Sequence, residues 1–183
     1  YFLFHLNPLT LSEVTGRGHT RPAAGETALG YFERRLDAAR GEQGAMELLL
    51  KYSGFPEPFL KADEAFYRRW QREMVDTLTK EDIRDLTRIL AVEHVATLMQ
   101  LIPDRVGSPL SLNALREDVE VSYTAVRNAV RAMELSYAVF LLSPHSDKVA
   151  RTVKKERKAY FFDWGRCRTE AKRFENYVAV ELK

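Results

Sequence analysis

From Leu110 onward the chain leaves one hydrophobic period for another, and that change limits what it can fold into. Between residues 27 and 102, apolar side chains recur at three- and four-residue steps, the spacing of helices that bury one face. Leu29, Phe32, Leu36 and Ala39 mark a first helix, stopped by Gly41, and Met46, Leu49 and Leu50 a short second one. The loop Ser53-Gly54-Phe55-Pro56-Glu57-Pro58 ends it, because a residue that precedes proline disfavours helix. Asp63 caps a longer helix with Phe66, Trp70, Met74 (or Val75) and Leu78 in one stripe. A further apolar series, Leu86, Ile89, Leu90, Val95, Leu98, Met99 and Ile102, runs on to the breaks at Pro103 and Pro109. Helices joined by short loops make a small bundle, and these stripes read as its core.

Past Leu110, Ser111 can cap a short helix carrying Leu112, Leu115 and Val119. After a turn at Glu120-Val121, Ser122 caps a second helix through Glu134, with Val126, Ala129, Val130 and Met133 inward. Strand formers follow at 138–142, then a turn at Ser143-Pro144-His145, a polar basic stretch and a second strand near 158–162. Helix, turn, helix and two-stranded hairpin is the order of a winged helix-turn-helix. Glu120 stands in the turn where glycine commonly permits a left-handed backbone. The expected fold is mainly α: an extended N-terminal segment at 1–27, a helical bundle at 28–106, and a winged helix with a β-hairpin wing at 107–165. Within the first segment Asn7-Pro8 and the residues to Glu13 make a turn and a short element, and 15–25 reads as a flexible connector.

Composition excludes several classes. With 45% hydrophobic and 30% charged residues, the chain is too apolar for a disordered tail and too charged for a membrane bundle. Its longest apolar run, 137–142, falls far short of the ~20 residues a bilayer requires. The single cysteine, Cys167, excludes an internal disulfide and a cysteine zinc cage. No secretory signal is visible, which makes the cytoplasm the expected compartment and a membrane partner unexpected. The sequence starts Tyr1-Phe2-Leu3-Phe4, like the middle of a strand, and stops at Leu182-Lys183, like an unfinished helix, so it reads as a piece of a longer protein.

Charge carries the main functional signal. Residues 145–173 hold ten Lys and Arg against four Asp and Glu, a local charge of +6 in a chain whose total is +2, so the rest sums to −4. Such asymmetry is the footprint of a phosphate-facing surface. On the second helix, Tyr123, Thr124, Arg127, Asn128 and Arg131 point away from the apolar stripe, where they can reach base edges and phosphates of double-stranded DNA. Lys148, Arg151, Lys154, Lys155 and Arg157 would lie on the wing and contact its backbone. A solvated basic hairpin, or a winged helix used for protein contacts, would carry the same pattern.

No catalytic set is complete. Gly16-Arg17-Gly18 is too short for a phosphate loop and lacks its lysine. His5, His19, His94 and His145 have no metal-ligand spacing. Cys167 between Arg166 and Arg168 has the flanks that depress a thiol pKa, but an incidental thiol is the stronger reading. Asp163, after the aromatic strand, reads as the cap of the following turn. Glu175 and Glu181, on the final helix, lack the further acids and lysine of a metal-dependent nuclease.

Five strings occur in order: Pro8-Leu9-Thr10-Leu11-Ser12-Glu13, Ser53-Gly54-Phe55-Pro56-Glu57, Glu81-Asp82-Ile83, Lys158-Ala159-Tyr160-Phe161-Phe162-Asp163-Trp164-Gly165 and Phe174-Glu175-Asn176. Together they resemble the C-terminal region, a domain of unknown function, of predicted prokaryotic AAA+ superfamily ATPases, over essentially the whole chain. The resemblance implies an ATPase core ending near the first string, a helical lid, a winged helix, and a nuclease-like domain of which 166–183 would be the start. It further implies ATP and magnesium for the full-length protein, none in this fragment, and the missing ATPase and nuclease-like domains as partners within one chain. Ser53 stands where that family usually has a glycine, Glu120 replaces the turn glycine, and Trp164 occupies a variable slot. The expected function is a non-catalytic lid and winged helix that contacts DNA. The rivals are a protein-interaction or autoinhibitory module, and a self-standing transcription regulator.

Overall fold

The computed structural model describes residues 7–16, 22–39, 42–78, 90–144 and 157–183, without the side chains at 32, 35, 36, 38, 39, 90 and 91. Among these residues the protein is mainly helical, with one two-stranded antiparallel sheet. The strand expected at 1–4, the string at 81–83, three of the histidines (His5, His19 and His145) and the basic stretch 145–156 lie outside the described residues. No described helix is long and apolar enough to cross a membrane.

The chain opens with α1 (Leu11–Val14), where Thr10 and Glu13 form a reciprocal capping box and the Thr10 amide donates to the Glu13 carboxylate at 2.8 Å. Next come α2 (Ala28–Ala39), α3 (Gln43–Tyr52), α4 (Pro56–Lys61) and α5 (Glu64–Thr77). Leu29, expected in a buried stripe, is exposed; it lies in the first turn of α2, where Cα–Cβ bonds lean past the helix end. The loop expected at 53–58 is cut short by α4. Pro56 and Pro58 occupy its first turn, whose amide positions have no intrahelical acceptor, so neither ring removes a hydrogen bond. Asp63 caps α5 as expected, accepting from Phe66 N at 2.6 Å. The buried face of α5 is centred on Tyr67 and Leu78, while Phe66, Trp70 and Met74 are only half-buried.

After α6 (Leu90–Leu101) the backbone tightens into a 3-10 turn, Ile102–Arg105, then extends so that Pro109 bridges Lys158 and Leu110 N–H donates to Arg157 O at 2.8 Å. Two capped helices follow, α7 (Leu112–Val119) and α8 (Tyr123–Leu135), and then β1 (Val139–Leu142) and β2 (Lys158–Phe161). In the sheet Val139 faces Phe161 and Leu142 faces Lys158. Both helices end in left-handed residues other than glycine, Glu120 (φ 56°) and Tyr137 (φ 55°). In each case the next amide reaches back five residues, Val121 N to Arg116 O and Ala138 N to Met133 O, which closes a Schellman turn. A 3-10 turn, Trp164–Arg166, leads to α9 (Glu170–Glu181).

The core centres on α6 against α8, the largest helix pair among the described residues, with Val95, Leu98, Val126, Ala129 and Met133 at most 1% exposed. It continues without interruption from Leu49 of α3 to Val180 of α9.

Candidate nucleic-acid interface

The outward face of α8 follows from its cap and its stripe. Ser122 Oγ accepts the Ala125 amide at 3.1 Å, which sets the first turn. Val126, Ala129, Val130 and Met133 are buried, so Tyr123, Thr124, Arg127, Asn128 and Arg131 are left exposed. Four of these five, Tyr123, Arg127, Asn128 and Arg131, line one open groove of about 480 Å³, and Thr124 stands outside its lining. Arg157, at the foot of β2, reaches the same groove. The lining also includes Leu110, Leu112 and Asn113 at the start of α7, and Leu141 of β1. Lys148, Arg151, Lys154 and Lys155 lie outside the described residues.

Glu134, an acid that the sequence reading left unassigned, also lines the groove. Its carboxylate lies 3.9 Å from Arg131 Nη1 and 3.7 Å from Arg157 Nη1. These separations are ion pairs longer than a hydrogen bond, so the guanidinium N–H groups keep their donor capacity. Its place one turn beyond Arg131, at i+3, was the available signal.

The cations nearer the C-terminus do not join this surface. Arg166 donates to Gln71 O at 2.8 Å, Arg168 to Gln100 O at 3.3 Å, and Arg173 to Cys167 O at 3.3 Å. Lys172 donates to Asp104 O, and Lys158 pairs with Glu175 at 3.3 Å. These side chains fasten elements together. The single basic face expected from the local +6 is therefore divided, because backbone carbonyls and the carboxylates of Asp104 and Glu175 take up much of it.

Four of the five strings that carried the family resemblance meet elsewhere, in one buried hub. Asp163 is 2% exposed and accepts from Tyr67 Oη at 2.5 Å, from Gln71 Nε2 at 2.8 Å and from Gly165 N at 3.2 Å, with Arg166 Nε 3.5 Å away. It caps the turn as expected, and it also ties α5 to the end of β2. Trp164 is fully buried; its indole N–H donates to Leu49 O at 2.7 Å and its ring packs edge-on to Tyr177. A Cβ on Gly54 would lie 2.5 Å from Leu9 O and 2.7 Å from the Trp164 ring, so only glycine fits there. Asn176 brackets Phe161, accepting from its N–H at 2.8 Å and donating to its carbonyl at 2.6 Å.

This hub is a framework. Burial, then the Asp163 charge, pushes the Cys167 thiol up to about 12, in line with an incidental thiol rather than one activated by its arginine neighbours. Arg166 and Arg168 are turned to other acceptors, and Cys167 is buried. Burial followed by the Glu175 hydrogen bond raises the Tyr160 phenol to about 12. Burial, with Asp163 beside it, holds Tyr67 far above the ordinary phenol range, and burial with Glu181 raises Tyr177. All four groups stay protonated at neutral pH and supply no nucleophile there.

Residues 44–176 match the model of a family described as Domain of unknown function (DUF8612). The chain belongs to this family. No curated protein and no solved structure matches it. The DUF8612 span runs from α3 to Asn176 and takes in both the groove and most of the hub. Its description assigns no activity, and the likeness to AAA+ ATPases rests on the sequence strings alone.

Proposed function

We propose that residues 107–165 act as a winged helix that contacts double-stranded DNA, within a lid and winged-helix portion of an AAA+ type ATPase. One observation carries the DNA reading: Tyr123, Arg127, Asn128 and Arg131 converge on one exposed groove beside the hairpin, with Arg157 at its edge. The short pairing of Pro109 with Lys158 adds a third strand position to the hairpin, in keeping with a winged helix. The ATPase part rests on the five strings. On this reading ATP and magnesium belong to the full-length protein, since the sequence here carries no glycine-rich phosphate loop ending in Gly-Lys-Ser/Thr. On this reading nucleotide state would act here only by favouring one arrangement of neighbouring domains over another.

The test is fluorescence anisotropy with a labelled duplex at several salt concentrations. Binding should weaken steeply with salt, and Arg127→Ala should lower the log–log slope by about 1. Reversing Lys154 and Lys155 to Glu should abolish binding. Salt-independent binding, or none at low salt, overturns the reading. In that event the second reading, a protein-docking module, takes its place. The capture of Arg166, Arg168, Lys172 and Arg173 by backbone carbonyls favours it.

A further inference from the structure

The face of α8 that would meet a duplex also borders a concave groove, which can take a smaller unit than a base-paired helix. A recognition helix reads a major groove about 12 Å wide by projecting into it. Here the side chains meant for reading line a recess of about 480 Å³ together with Leu112, Asn113 and Leu141. That volume falls in the range of small-ligand sites, roughly 300–1,000 Å³, and suits one nucleotide. Its chemistry is sorted in the same way. Tyr123 is 44% exposed, an aromatic side chain open to solvent on which a base can stack. Asn113 and Asn128 each offer an amide donor and acceptor, the pairing that reads an unstacked base edge. Arg127 meets no acid within ion-pair distance among the described residues, and Glu134 steadies Arg131 and Arg157 without consuming their N–H donors. Among the described lining residues, three guanidinium groups against one carboxylate leave a surplus of two positive charges for phosphate.

We propose that this groove holds a single unpaired nucleotide, as at a single-stranded tail or junction of DNA, with its base on Tyr123 and its phosphate on the arginines. The proposal rests on the DNA reading above and narrows it.

The experiment measures anisotropy with the 183-residue chain and three labelled probes: a blunt hairpin duplex, the same hairpin with a single-stranded tail, and the isolated tail strand. The tailed probe should bind about 5- to 100-fold more tightly than the blunt one, the span of one base–aromatic stack. Tyr123→Ala should erase that advantage, bringing the tailed probe down to the affinity of the blunt one, whereas Tyr123→Phe should retain most of it. Tyr123 is exposed in the first turn of α8, and helical circular dichroism checks that both variants fold. Equal affinity for tailed and blunt probes, or an equal loss for both in Tyr123→Ala, overturns this inference while the duplex reading stands. Absence of binding to all three probes overturns both.

Discussion

Ser53 holds φ 67° and ψ 176° while fully buried between α3 and α4. That combination is almost restricted to glycine, and a side chain there costs of order 1–3 kcal/mol. Glu120 is also left-handed, at φ 56° and ψ 41°, but in the αL region that non-glycine residues tolerate better. Glycine at either position relieves strain and loosens the unfolded chain, and the second effect subtracts roughly 0.5–1 kcal/mol. Ser53→Gly should therefore stabilise the protein by about 1 kcal/mol, and Glu120→Gly by less. Urea unfolding of both variants checks the order. A destabilised Ser53→Gly would show that the backbone at this loop is not strained. The glycine that the resemblance expects at residue 53 thus has a local physical reason.

At the scale of elements, the contact between α5 and the end of β2 depends on a carboxylate withdrawn from water. Hydrogen bonds to a charged group contribute about 1.5–3 kcal/mol, and a buried ion stripped of a partner costs more. A double-mutant cycle with Tyr67→Phe and Asp163→Asn should give a coupling of at least about 1 kcal/mol. Additive effects in that cycle would mean that the hydroxyl and the carboxylate do not depend on each other. Part of this level was legible in the sequence and part was not. Asp63, Ser111 and Ser122 announced their helices because a cap acts within three residues. The stripe of α8 was equally plain, and with it the outward set at Tyr123, Arg127, Asn128 and Arg131. The Tyr67–Asp163 bond spans 96 residues and leaves no periodic trace. Pro109 read as a break, yet an edge position needs no donor from it. The C-terminal arginines and Lys172 read as surface charge because each donates to a carbonyl, a group every residue has, and the Asp104 that also pairs Arg168 lies far away in sequence.

For the whole molecule, Trp164 is the residue that makes the parts one body. Its ring lies between Leu49 of α3 and Tyr177 of α9, so the helices before residue 78 and the last helix share it. Removing a buried tryptophan costs about 3–5 kcal/mol, and each kcal/mol lowers Tm by roughly 2–4 °C in a chain of this size. Trp164→Ala should therefore melt about 6–20 °C below the parent chain, read by circular dichroism. The parent should melt in one transition. Two resolved transitions in the unmutated chain would show that the bundle and the hairpin region fold separately.

The amide of Leu11 donates to the Glu181 carboxylate at 2.7 Å, across 170 positions of sequence. Among the described residues, the first and last helices are thus stitched side by side. Any polypeptide grafted ahead of α1 and any grafted behind α9 would leave from the same patch of surface as neighbours, and would have to share the room there.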